Sequence, residues 1–188
     1  MLLKENIIDK IIFLDVDGVL NSDEFSRWCV AHKEFMKEGG HHHISPWLVE
    51  KVIKICDETG ASIVMSSSWR LWSVDQTLKN LASKRDLRPV LDRLVGITPR
   101  TDERYRGAEI KYFLDCCKNN YFYTKSGEQL SNGKYTFSKN PKYVIIDDDD
   151  DMLDEQLPFF VHTDFLVGIT DDDVKEAIKI LNNTDENK

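Results

Sequence analysis

The stretch from residue 10 to residue 20 reads KIIFLDVDGVL, a short apolar run that ends in two acidic residues, Asp15 and Asp17. An uninterrupted apolar run of this length is typical of a strand buried on both faces, as in a parallel sheet. Side chains two residues apart lie on the same side of an extended backbone, so Asp15 and Asp17 are predicted to act together. Gly18 then permits a sharp turn and a close approach of the backbone to a ligand.

Outward from this stretch, strand-like runs alternate with helical patterns. The further predicted strands are 61–65, 94–97, 143–146 and 159–162, and predicted helices begin near residues 46, 74, 107 and 171. This alternation predicts a three-layer, Rossmann-like α/β fold with a mainly parallel five-stranded sheet and helices on both faces. Two stretches, 21–44 and 121–141, fall outside the pattern. We predict that they are inserts in a single domain spanning residues 1–188, and the second contains turn signals typical of a hairpin or loop. Neither the stretch after Asp17 nor that between Ser66 and Arg106 is long enough for a large lid, so a minimal cap is expected.

The composition narrows the class of protein. The 188 residues are 41% hydrophobic and 31% charged, which is typical of a soluble globular protein. The formal net charge of -8 argues against a protein that coats nucleic acid. No apolar run approaches the roughly 20 residues of a membrane span, and charged residues interrupt the N-terminus where a signal peptide would be apolar. The cysteines show no CxxC pairing and no dense disulfide-type spacing, which favours a reducing, cytoplasmic setting.

Acidic and hydroxyl residues follow the predicted strands where each strand ends. Asp15 and Asp17 follow the first strand. Three serines, 66–68, follow the second strand, and Asp147 and Asp148 follow the fourth. Ligands of open α/β sheets bind beyond the carboxyl ends of the strands, so these side chains are predicted to converge on one edge. Converging carboxylates repel one another unless a cation or protons lie among them, and a few oxygen ligands beside a phosphate favour Mg²⁺.

These residues resemble the motifs of the haloacid dehalogenase (HAD) superfamily. The stretch 15–20 (DVDGVL) resembles the first motif, the serine that closes the second strand resembles the second, and 145–148 (IIDD) resembles the fourth. A basic residue near a helix start resembles the third motif. More narrowly, the stretches 63–70 (IVMSSSWR), 106–110 (RGAEI) and 144–149 (VIIDDD) resemble the small HAD domains of RNA-repair proteins.

The resemblance implies a Mg²⁺-dependent phosphomonoester hydrolase that works through an aspartyl-phosphate. Asp15 would be the nucleophile, and Asp17 would protonate the leaving oxygen and then activate water. The Mg²⁺ ligands would be the Asp15 carboxylate, the backbone carbonyl of Asp17 and the Asp147 carboxylate. Asp148 would be an outer partner or a further metal ligand.

Two phosphate-binding roles implied by the resemblance each have a rival residue. Ser66 is the first residue after the apolar run and is preferred as the hydroxyl that binds a phosphoryl oxygen, but Ser67 stays possible. Arg106 stands at a helix start and is preferred as the third-motif cation. Its rival, Lys111, lies about 7.5 Å further along the helix axis at ~1.5 Å per residue.

The substrate is less closely defined. Trp69, Arg70 and Trp72 are each either core or rim residues, and a tryptophan with an arginine beside a phosphate site could stack a base. The stretch 84–106 carries seven basic and four acidic residues, a net charge of +3. It fits an ordinary solvated surface about as well as it fits a nucleic-acid end. We expect a phosphorylated small molecule, nucleotide or nucleic-acid terminal phosphate as substrate. The alternatives are a phosphate-binding regulatory module without significant turnover, and a phosphotransferase.

Overall fold

The computed structural model describes residues 7–33 and 44–183. Within these ranges the strands are β1 (Ile7–Leu14), β2 (Ser62–Met65), β3 (Leu94–Ile97), β4 (Thr136–Asp147) and β5 (Phe160–His162). The α-helices are α1 (Asp23–Ala31), α2 (Pro46–Thr59), α3 (Val74–Leu81), α4 (Arg88–Leu91), α5 (Arg106–Asn119) and α6 (Asp171–Asn182). Short 3₁₀ helices, Arg85–Leu87 and Asp154–Phe159, precede α4 and β5.

The strands form one parallel sheet in the order β3-β2-β1-β4-β5, which confirms the predicted α/β fold. From β1 the chain proceeds to β2 and β3 on one side and then crosses back to β4 and β5 on the other. The strand order therefore reverses between β1 and β4. Open α/β sheets bind ligands at the carboxyl ends of the strands beside such a reversal.

The centre of the sheet is buried on both faces. All side chains of residues 11–14 are fully buried, although successive strand residues point to opposite faces. On the helical layers, α2 packs against α6, and α5 packs against β4. The ring of Phe113 in α5 meets Phe13 in β1 edge to face, with centroids 5.8 Å apart. These contacts fix the helices relative to the strands whose ends carry the site.

Local capping explains where two of the predicted helices begin and end. The Ser45 hydroxyl accepts a hydrogen bond from the Leu48 N–H at 3.4 Å, and Pro46 occupies the first helical position of α2. Gly60 ends the helix with a left-handed φ of 74°, a conformation that costs a residue with a Cβ more than it costs glycine. A capping box between Thr170 and Asp173 likewise begins α6.

The two predicted inserts contain regular structure. The stretch 21–44 includes α1, and its residues 34–43 lie outside the described ranges. Within the stretch 121–141, an antiparallel bridge joins Tyr123 to Gln129, as expected of a hairpin, and Ser131 forms a second antiparallel bridge with Gly96 of β3. From Thr136 onward, however, the chain already forms β4, where we predicted a hairpin or loop.

A bulge explains why the first half of β4 escaped prediction. Proline cannot donate a ladder hydrogen bond, so Pro141 is unfavourable inside a regular strand. Between the pairs Ile8–Phe137 and Lys10–Lys142, β1 advances by two residues while β4 advances by five. The extra residues of β4 include Pro141, whose missing N–H therefore interrupts no regular pairing.

Replacing the buried ring of Phe113 should destabilise the fold strongly. The side chain is fully buried and also contacts the rings of Phe122 and Phe137. Phe113→Ala should lower the free energy of unfolding by about 3–5 kcal/mol in urea denaturation, because the cavity cannot close completely. The matched control Tyr121→Ala removes a ring that is 60% exposed. It should change the free energy of unfolding by no more than about 0.5 kcal/mol. Equal losses in the two variants would contradict the assignment of Phe113 to the core.

Candidate active site

The parallel strands bring the predicted site residues to one edge of the sheet. Asp15 follows β1, and its N–H donates to the Ile146 carbonyl of β4 at 3.0 Å. Ser66 follows β2, and its N–H donates to the Leu14 carbonyl at 2.8 Å. Asp147 is the last residue of β4. Main-chain hydrogen bonds thus continue to the residues that carry the site and fix their positions relative to one another.

Three of the predicted acids lie together. One carboxylate oxygen from each of Asp15, Asp147 and Asp148 lies within 4.8 Å of the other two, so that the group could hold a metal ion. Asp15 and Asp147 are 4% and 1% exposed. Burial and the neighbouring Asp147 raise the pKa of Asp15 to about 8, and burial raises that of Asp147 to about 6. These raised values mean that the close negative charges need to be balanced by protons or by a cation.

Arg106 is the basic residue that reaches this cluster. Its Nη2 donates to Asp15 Oδ1 at 3.0 Å, and its Nε donates to Asp147 Oδ2 at 2.8 Å. Burial disfavours the guanidinium charge, but Asp147, Asp15 and Glu109 outweigh it, so the pKa of Arg106 is raised. Lys111, the alternative cation, is exposed on the same helix. The geometry therefore supports the preference for Arg106.

The carboxylate of Asp17 lies outside the three-acid cluster and has its own donors. It accepts hydrogen bonds from Asn21 Nδ2 at 2.8 Å, Trp69 Nε1 at 2.9 Å and Ser68 Oγ at 3.4 Å. Asn21 Oδ1 in turn accepts from the Gly18 N–H at 2.9 Å, which ties the turn after β1 together. Asp17 also lines a cavity of about 220 Å³. It is thus held at the rim, where it can meet a ligand.

The order and placement of these residues agree with a comparison to known families. A family model described as the HAD domain in Swiss Army Knife RNA repair proteins matches residues 11–174. The chain belongs to this family. Comparisons with curated proteins and with solved structures gave no significant match. Family membership indicates a hydrolase of the phosphatase type and the use of a divalent metal, but it names neither the ion nor the substrate.

The three serines of the HAD domain have three different environments. Ser66 is fully buried, and its Oγ accepts a hydrogen bond from Thr98 Oγ1 at 3.3 Å. The side chain of Ser67 hydrogen-bonds to Asp15, which lowers the pKa of that acid against the larger effect of burial. Ser68 is exposed and donates to Asp17. The structure therefore favours Ser67 over Ser66 as the hydroxyl beside Asp15, contrary to the preference drawn from the sequence.

Gly18 is required by the close packing of the HAD turn against the second acidic motif. Its φ is +66°, and a Cβ built on it would lie 2.2 Å from Cγ of Asp148. Any side chain here would have to displace Asp148 from the cluster. The glycine that the sequence suggested for a turn thus also determines where a carboxylate of the candidate metal site can lie.

A buried ion network lies behind Arg106, and sequence reasoning missed its central acid. Glu109 Oε2 accepts from Arg106 Nη1 at 3.4 Å, and Glu109 Oε1 pairs with Arg70 Nη2 at 2.6 Å. Arg70 is 3% exposed, and burial lowers its pKa to about 10. A glutamate within a helical pattern is normally exposed. Glu109 lies three residues after Arg106 on the same face of α5, and this spacing was the sequence signal for an ion pair between them.

Arg70 joins two loops of the site. Its Nε donates to the Thr98 carbonyl at 2.8 Å and its Nη2 to the Pro99 carbonyl at 3.1 Å. Its Nη1 donates to the Ser67 carbonyl. The loop after β2 and the loop after β3 are therefore connected through one buried side chain. Of the three residues left open between core and rim, Arg70 is core, Trp69 is partly buried and Trp72 is exposed.

The donor set fits a hard divalent cation. Asp15, Asp147 and Asp148 offer only oxygen ligands, which Mg²⁺ prefers, and no cysteine or histidine joins them in the described part of the chain. The pKa of Asp148 is also raised, by burial and by Asp149. The raised pKa values of these three close acids show that their negative charge has to be balanced, by protons or by a bound cation.

In a chelating buffer, the raised pKa values should make stability fall as the pH rises. The folded state binds more protons than the unfolded chain between the ordinary acid pKa of 3.8 and the folded values of about 6 and about 8. The stability that these two carboxyls contribute is complete below the ordinary pKa of 3.8. It is lost as the pH rises through the folded pKa values of about 6 and about 8. We expect Tm to fall from about pH 5 to about pH 8 more steeply in the wild type than in Asp15→Asn.

Adding Mg²⁺ should reverse this trend, because ionised carboxylates bind the cation and neutral ones do not. The increase in Tm should be larger at about pH 8 than at about pH 5, and smaller in Asp15→Asn at either pH. Tm is measured by differential scanning calorimetry. If Tm fell with pH equally steeply in the wild type and in Asp15→Asn, the result would count against an interacting acidic cluster.

Removing the guanidinium of Arg70 should destabilise the domain. Arg70→Met leaves Glu109 without its closer partner and removes the guanidinium donor from three carbonyls, of which Ser67 keeps a main-chain donor in the Arg70 N–H. We expect a loss of about 3–5 kcal/mol in the free energy of unfolding, the usual cost of breaking a buried ion pair from one side. Arg88→Met removes an exposed arginine and should cost no more than about 0.5 kcal/mol. A small loss in Arg70→Met would show that the network does not stabilise the fold.

Proposed function

We propose that the protein is a Mg²⁺-dependent phosphomonoester hydrolase that acts through an aspartyl-phosphate on Asp15. The observation that carries the proposal is that one buried edge combines Asp15 with the guanidinium of Arg106 and with two further carboxylates. A nucleophilic carboxylate beside a phosphate-binding cation and a metal-type acid cluster is suited to phosphoryl transfer. Membership in the HAD family supports the same class of reaction.

In the first step, an oxygen of Asp15 attacks phosphorus in line with the leaving oxygen. The new O–P bond forms as the bond to the leaving group breaks, and the electron pair of that bond goes to the leaving oxygen. Asp17 donates a proton to this oxygen. The position of Asp17 outside the acid cluster and beside a cavity supports its role as the proton donor.

In the second step, Asp17 takes a proton from water as the water oxygen attacks phosphorus. The bond between phosphorus and Asp15 breaks, which releases inorganic phosphate and restores the carboxylate. Arg106 and Ser67 would bind phosphoryl oxygens in both steps. When bound, a Mg²⁺ ion held by Asp15, the Asp17 carbonyl, Asp147 and Asp148 would supply positive charge that favours the ionised nucleophile and offsets the charge of the phosphoryl group.

We propose a nucleotide or nucleic-acid end as the source of the phosphate, because the family occurs in RNA repair proteins. No stable coating of nucleic acid is expected from a chain of net charge -8. The four cysteines are free and buried, which supports a reducing, cytoplasmic setting. Among the described residues, no helix has the length and apolar content that a membrane crossing requires.

Asp15→Asn should abolish hydrolysis of an aryl phosphate in the presence of Mg²⁺. We expect kcat to fall below detection, and Asp17→Asn to lower kcat roughly 100- to 10,000-fold through loss of acid–base catalysis. Phosphate release by the wild type should require Mg²⁺ and stop with a chelator. Asp115→Asn, a matched change at an exposed acid on α5, should leave the rate unchanged.

Acid quenching with labelled substrate should trap a phosphoenzyme in the wild type and none in Asp15→Asn. Full activity in Asp15→Asn would refute the proposed nucleophile. A pure wild-type protein that binds phosphate without turnover would instead be a regulatory module. Transfer of the label to an added alcohol in preference to water would identify a phosphotransferase.

A further inference from the structure

A second cleft adjoins the candidate active site and shares residues with it. It has a volume of about 730 Å³, and its lining includes Ser68 and Arg106 as well as Trp72, Arg100 and Arg104. We propose that this cleft binds the phosphodiester and the base of the nucleotide next to the terminal one. The protein would then favour a single-stranded polynucleotide over a mononucleotide. This inference rests on the proposed phosphatase function of the same site.

The arginines of the cleft fall into two groups. Arg70 and Arg106 pair with buried acids and belong to the network behind the reaction centre. Arg100 and Arg104 are exposed, and neither forms a salt bridge with an acid in the described part of the chain. An exposed arginine without a carboxylate partner is available for a phosphodiester, whose oxygens match the fork of the guanidinium. Two such residues beside a phosphate site suit a chain that carries more than one phosphate.

The acids of the cleft define which wall an anionic chain would follow. Asp149 and Asp151 lie after β4, and Asp151 Oδ2 accepts from the Arg106 N–H at 2.8 Å. Asp102 also lines the cleft and lies between Arg100 and Arg104 in sequence. Acids would repel a polynucleotide backbone from the side formed by the loop after β4. The wall with Arg100 is therefore the favourable path.

Trp72 provides a stacking surface on that wall. Its side chain is 62% exposed, and the guanidinium carbon of Arg100 lies 5.5 Å from the ring centroid. Arg100 Nη2 also donates to the Arg70 carbonyl at 3.4 Å, which connects this pair to the buried network. A large aromatic ring left in solvent beside a cation is the combination with which proteins bind successive bases and phosphates of single strands.

The cleft begins within one hydrogen bond of the reacting groups. Ser68 lines it and donates to Asp17, the proposed proton donor of the leaving oxygen. A sugar attached to the leaving oxygen would therefore stand at the mouth of the cleft, with the next nucleotide directed toward Trp72 and Arg100. The same lining would add little to the binding of a small sugar phosphate.

The test compares substrates of increasing length. Oligoribonucleotides of one to five residues, each with one terminal phosphate at the 5′ or the 3′ end, are assayed beside an aryl phosphate. For whichever terminal phosphate is hydrolysed, kcat/KM should be roughly tenfold or more higher for a trinucleotide than for a mononucleotide. An increase of this size is expected from the stacking of one base. Trp72→Ala and Arg100→Gln should each lower the ratio of trinucleotide to aryl phosphate kcat/KM by roughly tenfold.

Arg88→Gln is the matched control, because Arg88 belongs to the same basic stretch of sequence but lies on α4, before the opposite end of β3. It should leave the ratio unchanged. Failure of all substrates, aryl phosphate included, would refute the proposed function. Two results would refute the proposed role of the cleft but leave the phosphatase function intact. One is an equal kcat/KM at every substrate length; the other is an equal ratio of trinucleotide to aryl phosphate kcat/KM in the wild type and both cleft variants.

A binding measurement separates recognition from turnover. Fluorescence anisotropy of a labelled pentaribonucleotide without a terminal phosphate, with Asp15→Asn as the protein, should give a Kd that Trp72→Ala weakens roughly tenfold. The Kd should also rise with salt, less so after Arg100→Gln, because one phosphate contact is lost. A Kd that neither substitution changes would overturn the proposal.

Discussion

The burial of several carboxylates at one sheet edge is the constraint on which the rest of the site depends. Close carboxylates removed from water are unstable unless a cation or protons lie among them. Arg106 supplies that charge from α5, and it reaches Asp15 and Asp147 together. Glu109 accepts a further hydrogen bond from the same guanidinium, and the charge of Glu109 is balanced by Arg70. The sheet order makes this arrangement possible, because β1 and β4 are neighbours with parallel carboxyl ends.

The fold could be predicted in most of its parts because hydrophobic periodicity and capping residues are local signals. The apolar run before Asp15 and the serine–proline start of α2 each depend on a few adjacent residues. The first half of β4 could not be predicted, since Pro141 is compatible with a strand only through a bulge that depends on pairing with β1. Strand pairing depends on two segments that are distant in sequence, so it cannot be predicted from the residues of either segment alone.

The sequence indicated which motifs form the candidate site but not which side-chain contacts their residues make. The acids at strand ends follow from topology, because the parallel strands carry them to one edge. Arg106 begins α5 and was identified by its resemblance to a third motif. The choice between Ser66 and Ser67 depends on side-chain direction after the strand has ended, where alternation no longer holds. Glu109 was missed because burial of an acid depends on Arg70, which is distant in sequence.

The three carbonyl contacts of Arg70 have a consequence for recognition at the neighbouring wall. They tie the loop after β2 to the loop after β3 through a side chain that solvent barely reaches. The conformational freedom of both loops is therefore given up during folding and not at the moment of binding. A ligand that settles against Trp72 and Arg100 meets a preorganised surface, so little of its binding free energy is spent on ordering the protein.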